Sequence, residues 1–303
     1  MKQLLSPKQV AAAIGVSEST LKRWADEGII SATRTAGGHR RIPVAEAVRF
    51  VRETQARIVD PSILGLKDLL EASEAPAPGD RVEQMYTVLT EGRADRVRGL
   101  MLSMFLEGTP VASLCDQVIV PSMRRIGELW HEQKDGIFVE HRATDLVLQG
   151  MNHVQSLIDV PDDAPPAVGG GAPGDPYLLP SLMACVSLRD AGVRAVNLGP
   201  DTPAASILHA IDHCRARLAW MSVTGNPIPT LREDVAGLVH DVAARGATLV
   251  VGGRELNRVS FESHPQLYIG ADMGALVAFS RGALMSGSTS SSSLEDGNGV
   301  SRN

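Results

Sequence analysis

The sequence predicts a multidomain chain: an α-helical winged helix-turn-helix, a four-helix bundle, and an α/β doubly wound sheet of five parallel strands. Two Pro-rich breaks, at 75–79 and 161–166, separate these parts. Apolar residues recur with helical spacing before the second break, and short strands alternate with amphipathic helices after it. The predicted domains are the winged helix with a linker helix (1–75), the helical bundle (76–160) and the α/β domain (161–285). A Ser/Gly-rich tail, 286–303, is expected to be disordered.

Charge is distributed unevenly along the chain. Residues 1–58 hold ten Lys/Arg and five Asp/Glu, a net charge of +5, whereas the remainder holds 19 and 30, a net charge of −11. A basic first part on an acidic remainder is typical of a DNA-binding module attached to a body that does not contact phosphate.

The first domain shows the signals of two short helices and a hairpin. Helices are predicted over 6–14 and 17–28, because Ser6 and Ser17 can cap their first turns and a glycine ends each of them. An extended segment then leads into a hairpin at 35–41, with a glycine turn and a basic returning strand, before a third helix.

Hydroxyl and basic side chains on the second helix and the hairpin are the expected DNA contacts. Such a helix can reach base edges in a major groove, while a basic wing follows the phosphates. The residues that we predict to bind DNA are Ser17, Ser19, Thr20, Lys22, Arg23, Arg34, His39, Arg40 and Arg41.

The second domain is predicted to be a bundle of four helices. A linker helix over 61–72 is followed by three helical segments at about 80–106, 110–131 and 136–158, whose apolar positions recur at i, i+3, i+4 and i+7. Trp130, His131, Glu140 and His141 fall on adjoining helices and could line a cavity for a large planar ligand.

The third domain alternates strands and helices, which implies a parallel, flavodoxin-like sheet. Its predicted strands are 167–172, 194–198, 218–223, 247–251 and 266–269, and its predicted helices are 179–191, 203–215, 230–244 and 273–285.

Several classes of protein are disfavoured by what the sequence lacks. No stretch reaches about 18 apolar residues and the start is unlike a signal peptide, so no membrane partner is expected and the cytoplasm, at the bacterial nucleoid, is the expected location. Three cysteines without CxxC spacing predict neither a disulfide framework nor a zinc site. No nucleophile elbow or P-loop is present, and we predict no enzymatic turnover.

The first domain resembles the MerR-type winged helix. The resemblance covers residues 1–58 and rests on two stretches: Val10-Ala11 with Gly15-Val16-Ser17-x-Ser19-Thr20-Leu21-x-x-Trp24-x-x-x-Gly28-Ile29-Ile30, and Gly37-Gly38-His39-Arg40-Arg41. It implies a transcription regulator that binds a double-stranded DNA operator and associates with itself as a homodimer or homotetramer.

The rest of the chain resembles cobalamin-binding repressors of the CarH/LitR type, which bind adenosylcobalamin and change oligomeric state when light breaks the cobalt–carbon bond. The resemblance rests on the domain order and on Pro121-x-Met123-x-x-Ile126-Gly127-x-Leu129-Trp130-His131 with Ile137-x-Val139-Glu140-His141. It implies that Trp130, Val139, Glu140 and His141 contact the corrin and that His131 can bind cobalt. It also implies that the nucleotide tail lies at Ser222, Thr224, Gly252 and Gly253.

One loop departs from that family. The lower-ligand motif Asp/Glu-x-His-x-x-Gly is replaced by Asp175-Pro176-Tyr177-Leu178-Leu179-Pro180, and a phenol with a pKa of about 10 is a poor cobalt ligand near neutral pH. Three glycines in the preceding strand, 169–171, are interpreted as leaving room for a ligand. Cobalamin could bind with its own base or with no lower ligand, another tetrapyrrole such as biliverdin could replace it, or the pocket could be vestigial.

The function that the sequence predicts is a DNA-binding repressor controlled by a tetrapyrrole ligand, with light as a plausible signal, through its oligomeric state. A regulator that needs no cobalamin and a corrinoid methyltransferase subunit are the alternatives. The methyltransferase subunit is disfavoured by the winged helix and by Tyr177, because such subunits need the lower histidine.

Overall fold

The computed structural model describes residues 3–72, 80–132 and 136–285. The predicted break at 75–79 and the predicted tail at 286–303 lie outside these residues. The chain divides after Pro161 into two compact units. Within the described ranges, no helix is both long enough and apolar enough to cross a bilayer.

The first unit begins with a small winged helix. Its helices are α1 (Pro7–Ile14), α2 (Glu18–Asp26) and α3 (Val44–Thr54), and its strands β1 (Leu4–Leu5), β2 (Thr33–Arg34) and β3 (Arg40–Pro43) form an antiparallel sheet in the order β1-β3-β2. Ser6 caps α1 in a capping box with Gln9, as the sequence predicts for its N-terminus. Leu21, Ile30 and Ile42 are fully buried and form the core of this winged helix with Val48.

The predicted linker helix over 61–72 is wrong in one respect. Residues Pro61–Leu64 form a 3₁₀ turn, and only Asp68–Ala72 is α-helical (α4). The break lies at Gly65, whose φ of 75° is in the left-handed region and ends the turn. The 3₁₀ turn packs on α1, and the Val59 N–H donates to the Ala13 carbonyl at 2.7 Å.

The bundle has more helices than the sequence predicts. The segment at 80–106 is split into α5 (Arg81–Glu91) and α6 (Ala94–Leu106) at Gly92, whose φ is 73°. The next segment comprises α7 (Val111–Leu114), a π-helical turn (Cys115–Ile119) and α8 (Val120–Glu132), and α9 spans Gly136–Ser156. Helix α6 packs between α4 and α9, and α8 packs on α5 and α9.

The winged helix is attached to the bundle through the ends of α3 and α6. The Arg52 guanidinium lies 3.8 Å from the centroid of the Phe105 ring, and its Nε donates to the Phe105 carbonyl at 2.7 Å. Gln55, in the left-handed region at φ 54°, donates from its side chain to the Arg52 carbonyl at 2.6 Å. The end of α3 is therefore in direct contact with the end of α6.

The second unit is a doubly wound sheet of five parallel strands. Its strand order β5-β4-β6-β7-β8 is the flavodoxin-like order that the sequence predicts. The strands are β4 (Pro166–Gly171), β5 (Arg194–Asn197), β6 (Leu218–Ser222), β7 (Thr248–Gly252) and β8 (Leu267–Gly270). The helices are α10 (Leu178–Asp190), α11 (Ala204–Cys214), α12 (Leu231–Ala244) and α13 (Met273–Met285).

Alternate residues of each strand point to opposite faces of this sheet. Ala219 and Met221 of β6 pack with α11 and α12. Leu218 and Trp220 of the same strand pack with α10 and α13. Both faces are covered, which is why β6 is buried throughout and carries apolar residues on both faces from Leu218 to Met221.

The glycines of β4 serve packing within the protein, contrary to the interpretation that they leave room for a ligand. A Cβ on Gly169 would lie 2.2 Å from Cδ2 of Trp220, and a Cβ on Gly170 would lie 2.4 Å from Oγ1 of Thr202. The space that these glycines leave is therefore filled by an indole ring and a threonine.

Candidate functional site

An open groove of about 360 Å³ lies on the winged helix, where predicted DNA-binding residues of α2 and of the hairpin meet. It is bounded by the start of α1, by α2 and by the hairpin of β2 and β3. The residues that line it are Ser6, Pro7, Glu18, Lys22, Arg34, Gly38, His39, Arg40 and Arg41. Five of the nine predicted contacts are thus brought to one concave surface, the basic groove.

The N-terminus of α2 presents a cluster of hydroxyl groups. The Ser17 side chain caps the helix by accepting from the Thr20 N–H at 3.0 Å, and its Oγ also lies 2.8 Å from those of Ser19 and Thr20. Ser19 is exposed at the first turn, where a recognition helix presents side chains to base edges. Ser17 has a structural role in addition to any contact with DNA.

The basic residues of the winged helix differ in whether an ion pair with an acidic side chain neutralises their charge. Lys22 pairs with Glu18 at 2.7 Å on the exposed side of α2, and Arg40 pairs with Asp26. Arg34 and Arg41 have no ion pair among residues 3–72, 80–132 and 136–285. Among the Lys and Arg side chains that line the groove, these two arginines therefore have the most charge available to a phosphate.

The wing is held by its own backbone. The Gly38 N–H donates to the Thr35 carbonyl at 2.8 Å, and the Thr35 N–H donates to the His39 carbonyl at 2.9 Å. Arg34 of β2 lies directly opposite Arg40 of β3 in the strand register, so both side chains project from the same level of the hairpin. The short hairpin fixes its basic residues on the flank of α2.

A buried carboxylate braces the segment between α2 and the wing, and sequence reasoning missed it. Glu46 of α3 is 9% exposed and accepts from the Ser31 N–H at 2.6 Å, while Arg49 donates to both of its oxygens at 2.7 Å. Burial alone would raise the pKa of Glu46, but the hydrogen bonds from Arg49 and Ser31 outweigh it and lower that pKa below 4.5. Only the E-x-x-R spacing hints at the pair in the sequence.

The predicted corrin contacts of the bundle lie on α8 and α9. Trp130 and His131 are in the last turn of α8, and their side chains fall outside the described residues, as does the predicted role of His131 as a cobalt ligand. Val139 and Glu140 are half-buried in the first turns of α9, and His141 is exposed. Phe138, 61% exposed, adds an apolar surface beside them.

Asp175 is engaged within the second unit. It is 3% exposed, and one carboxylate oxygen accepts from the N–H groups of Thr224 and Gly225, at 2.6 and 3.1 Å. The other oxygen accepts from the Tyr177 N–H at 3.0 Å. This carboxylate ties the loop after β4 to the loop after β6, so it is not available to orient a metal ligand.

Tyr177 occupies the N-cap position of α10 without a side-chain hydrogen bond to the helix, and its side chain is 44% exposed. The three donors around Asp175 come from the backbone, so the loop keeps its shape without a histidine at this position. Within the described ranges, no group of three or more His, Cys, Asp or Glu side chains is placed to hold a metal ion.

The residues predicted to hold a nucleotide tail lie at the carboxyl ends of β6 and β7. Ser222 and Gly252 are paired in register, and Gly252 is paired in turn with Gly270. Ser222 is 7% exposed, and its Oγ has no hydrogen-bond partner among the described residues. A buried hydroxyl in that state marks a place where a ligand atom could bind. The Thr224 N–H donates to the Asp175 carboxylate. Gly253 has a φ of 130°, and its lack of a Cβ lets its backbone lie against the Val223 carbonyl.

Trp220 lies two residues before Ser222 on the same face of the sheet, and sequence reasoning did not single it out. Its indole is 2% exposed and packs against Gly169, Cys185 of α10 and Leu276 of α13. Its Nε1–H has no acceptor among the described residues. The alternation of β6 places Trp220 beneath Ser222, but only the strand register shows that it lies over Gly169.

The second unit does not fit the lower half of cobalamin. Asp175 is occupied by backbone donors, Tyr177 replaces the histidine that would bind cobalt, and an indole fills the space below Ser222. The fit of the upper half depends on Trp130 and His131, whose side chains are not described.

Two family models match separate parts of the chain. Residues 6–42 match the model of the MerR family regulatory proteins, and residues 81–155 match that of a B12 binding domain. The chain thus carries a MerR-type helix-turn-helix and, in α5 to α9, a B12-binding-type bundle.

Relatives and solved structures extend the comparison over most of the chain. It is 25% identical over 264 residues to the HTH-type transcriptional repressor CarA of Myxococcus xanthus, covering 81% of this chain and 85% of CarA. A monomethylamine corrinoid protein of Methanosarcina barkeri is similar at a TM-score of 0.48 and 10% identity, over 66% of this chain and 96% of that one. The methanol:cobalamin methyltransferase complex MtaBC of the same organism is similar at a TM-score of 0.36 and 16% identity, and the match covers 71% of this chain and 83% of that one.

Proposed function

We propose that this chain is a DNA-binding transcription repressor whose affinity for an operator is set by a tetrapyrrole ligand through its oligomeric state. The observation that carries the DNA-binding part is the basic groove. Its residues come from the start of α1, from α2 and from the hairpin, and two of its arginines have no ion pair within the described ranges. The MerR-type match of residues 6–42 and the resemblance to a repressor support the same function.

The basic groove and the first turn of α2 have different roles in this proposal. Arg34 and Arg41 of the wing supply charge for phosphates, and this contribution depends on salt but not on DNA sequence. Ser19, exposed on the first turn of α2 and outside the groove lining, contacts base edges in this proposal. Such a module binds weakly alone, so a second copy on an inverted repeat supplies the remaining affinity. We therefore propose a homodimer or homotetramer on the DNA.

Selection of binding sites from random duplex DNA tests this part. The wild-type chain is expected to enrich one inverted repeat. Replacement of Ser19 by Ala is expected to relax the preferred sequence, while Arg217→Ala, an exposed arginine of the second unit, is expected to leave it unchanged. Absence of any enriched sequence with the wild-type chain would refute a sequence-specific regulator.

The ligand part of the proposal rests on the B12-binding match of residues 81–155 and on the orphaned hydroxyl of Ser222. Adenosylcobalamin is the ligand that the family resemblance suggests, and biliverdin represents the tetrapyrroles without cobalt. Light acts in this proposal only if the bound ligand is photochemically active. The chain then has no catalytic turnover, and its output is the occupancy of the operator.

Absorption spectra and DNA affinity together test the ligand. The chain is incubated separately with adenosylcobalamin, cobinamide and biliverdin, freed of unbound compound, and titrated with operator in the dark and after illumination. Retention of one tetrapyrrole with a changed operator affinity is the expected result. If none is retained, or if retention leaves operator affinity unchanged, tetrapyrrole control is wrong.

A repressor without a ligand is the second candidate. The observation that favours it is Asp175, whose carboxylate is satisfied by three backbone N–H groups without any bound molecule. This candidate predicts a colourless chain that binds its operator with the same affinity in the presence of each compound.

A further inference from the structure

We infer that Trp220 is a specificity-determining residue that closes the second unit to a nucleotide tail and thereby selects a tetrapyrrole that carries none. This inference rests on the proposed tetrapyrrole function. Three features of the α10/α13 face of the sheet carry it: a short row of small residues at the carboxyl edge, an indole directly below that row, and a glycine that makes room for the indole.

The small residues mark an entrance at the carboxyl edge. Ser222, Gly252 and Gly270 are paired across three adjacent strands, so the row presents no side chain larger than a hydroxymethyl group. The Ser222 hydroxyl is more than nine-tenths buried and has no partner within the described ranges. A ligand group that reaches this row can bind that hydroxyl.

The next row down is filled. It consists of Gly169, Trp220, Val250 and Tyr268, paired in register, and the Tyr268 ring stacks on Phe279 of α13 at 4.1 Å. Two residues along a strand span about 6.6 Å, so the space on this face ends one row below its edge.

The indole takes the place of a lower base. The lower base of cobalamin is 5,6-dimethylbenzimidazole, and its bicyclic ring, like indole, is a five-membered ring fused to a six-membered ring. The Trp220 ring lies so close over Gly169 that a Cβ there would be 2.2 Å from Cδ2 and 2.5 Å from Cγ. A tail that entered below Ser222 would need the volume that Trp220 occupies, because close-packed interiors leave no second space of that size.

Binding of two corrinoids that differ in their tail tests the inference. The full-length wild-type chain is expected to bind dicyanocobinamide, which lacks the nucleotide, at least about tenfold more tightly than cyanocobalamin. The Trp220→Ala chain is expected to reduce that ratio by at least about tenfold, because the tail can then enter. Met221→Ala is the matched control, since Met221 is equally buried on the same strand but faces α11 and α12.

A second measurement does not depend on tetrapyrrole binding. Free benzimidazole is expected to raise the unfolding temperature of the Trp220→Ala chain by filling the space left by the indole, and to leave the wild type and Met221→Ala unchanged. Trp220→Leu replaces the alanine variant in both measurements if the latter does not fold.

The outcomes separate the inference from the proposed function. Equal affinity of the wild type for the two corrinoids, or a ratio that Trp220→Ala does not change, overturns the inference and leaves tetrapyrrole control standing. If no tetrapyrrole binds the wild type, tetrapyrrole control fails and the claim of selectivity fails with it. The benzimidazole measurement then still decides whether the indole occupies a base-sized space, and the absence of a shift overturns that claim.

Discussion

Replacement of Gly169 by Ala should destabilise the second unit, although alanine ordinarily suits a strand better than glycine. The added Cβ would lie 2.2 Å from the Trp220 indole and 2.3 Å from the Trp220 carbonyl oxygen. The indole can shift, but the carbonyl belongs to the neighbouring strand and cannot move without breaking the pairing of β4 with β6. Overpacking of this kind costs about 2–3 kcal/mol, which lowers the unfolding temperature by about 4–12 °C.

Urea unfolding of the full chain, followed by far-UV circular dichroism, measures this change. Gly237→Ala is the matched control, because Gly237 lies inside α12 and no atom is within 4 Å of its added Cβ. Alanine loses less backbone entropy on folding than glycine does, so that variant should be more stable than the wild type by about 0.5–1 kcal/mol. If Gly169→Ala is as stable as the wild type, the glycine is not required by Trp220 and the reasoning about the filled row is refuted.

Three further predictions test other parts of the account. Asp175→Asn should lower the free energy of unfolding of the second unit by about 3 kcal/mol, because an amide nitrogen cannot accept from the backbone donors; an unchanged urea midpoint would contradict this. Glu46→Gln should lower the free energy of unfolding at pH 7. Because the folded-state pKa of Glu46 is lowered, this difference in free energy from the wild type should persist above pH 4.5 and disappear as the pH falls below it. Thermal unfolding from pH 3 to 7 measures this, and a pH-independent difference would show that the carboxylate charge is not involved. Asp26→Asn should release Arg40 and raise operator affinity by up to about fivefold, whereas a loss of affinity would show that the ion pair positions the wing.

The elements of the second unit could be predicted from the sequence because local signals agree there. Each strand is a short apolar run and each helix begins shortly after a turn signal, so predicted and observed bounds differ by at most one residue. The parallel order follows from the alternation of strands and helices. In the bundle, by contrast, helical periodicity runs through Gly92 and Gly65, and the left-handed backbone at each glycine could not be foreseen from spacing alone.

The candidate site was predictable where residues act alone and not where they act through a partner. The basic wing is visible as Arg40 and Arg41 beside two glycines, and the structure adds that Arg40 already pairs with Asp26. The position of Trp220 over Gly169 depends on strand register, which a single sequence does not contain.

The most direct test of the central claim, that the basic groove binds DNA, is the salt dependence of operator affinity. Each phosphate contact contributes about −0.9 to the slope of log K against log salt concentration. The double variant Arg34→Ala/Arg41→Ala should therefore show a slope reduced in magnitude by about 1.8 for each protomer on the operator, about 3.6 for a dimer, with Arg217→Ala unchanged. An unaltered slope in the double variant would contradict the account.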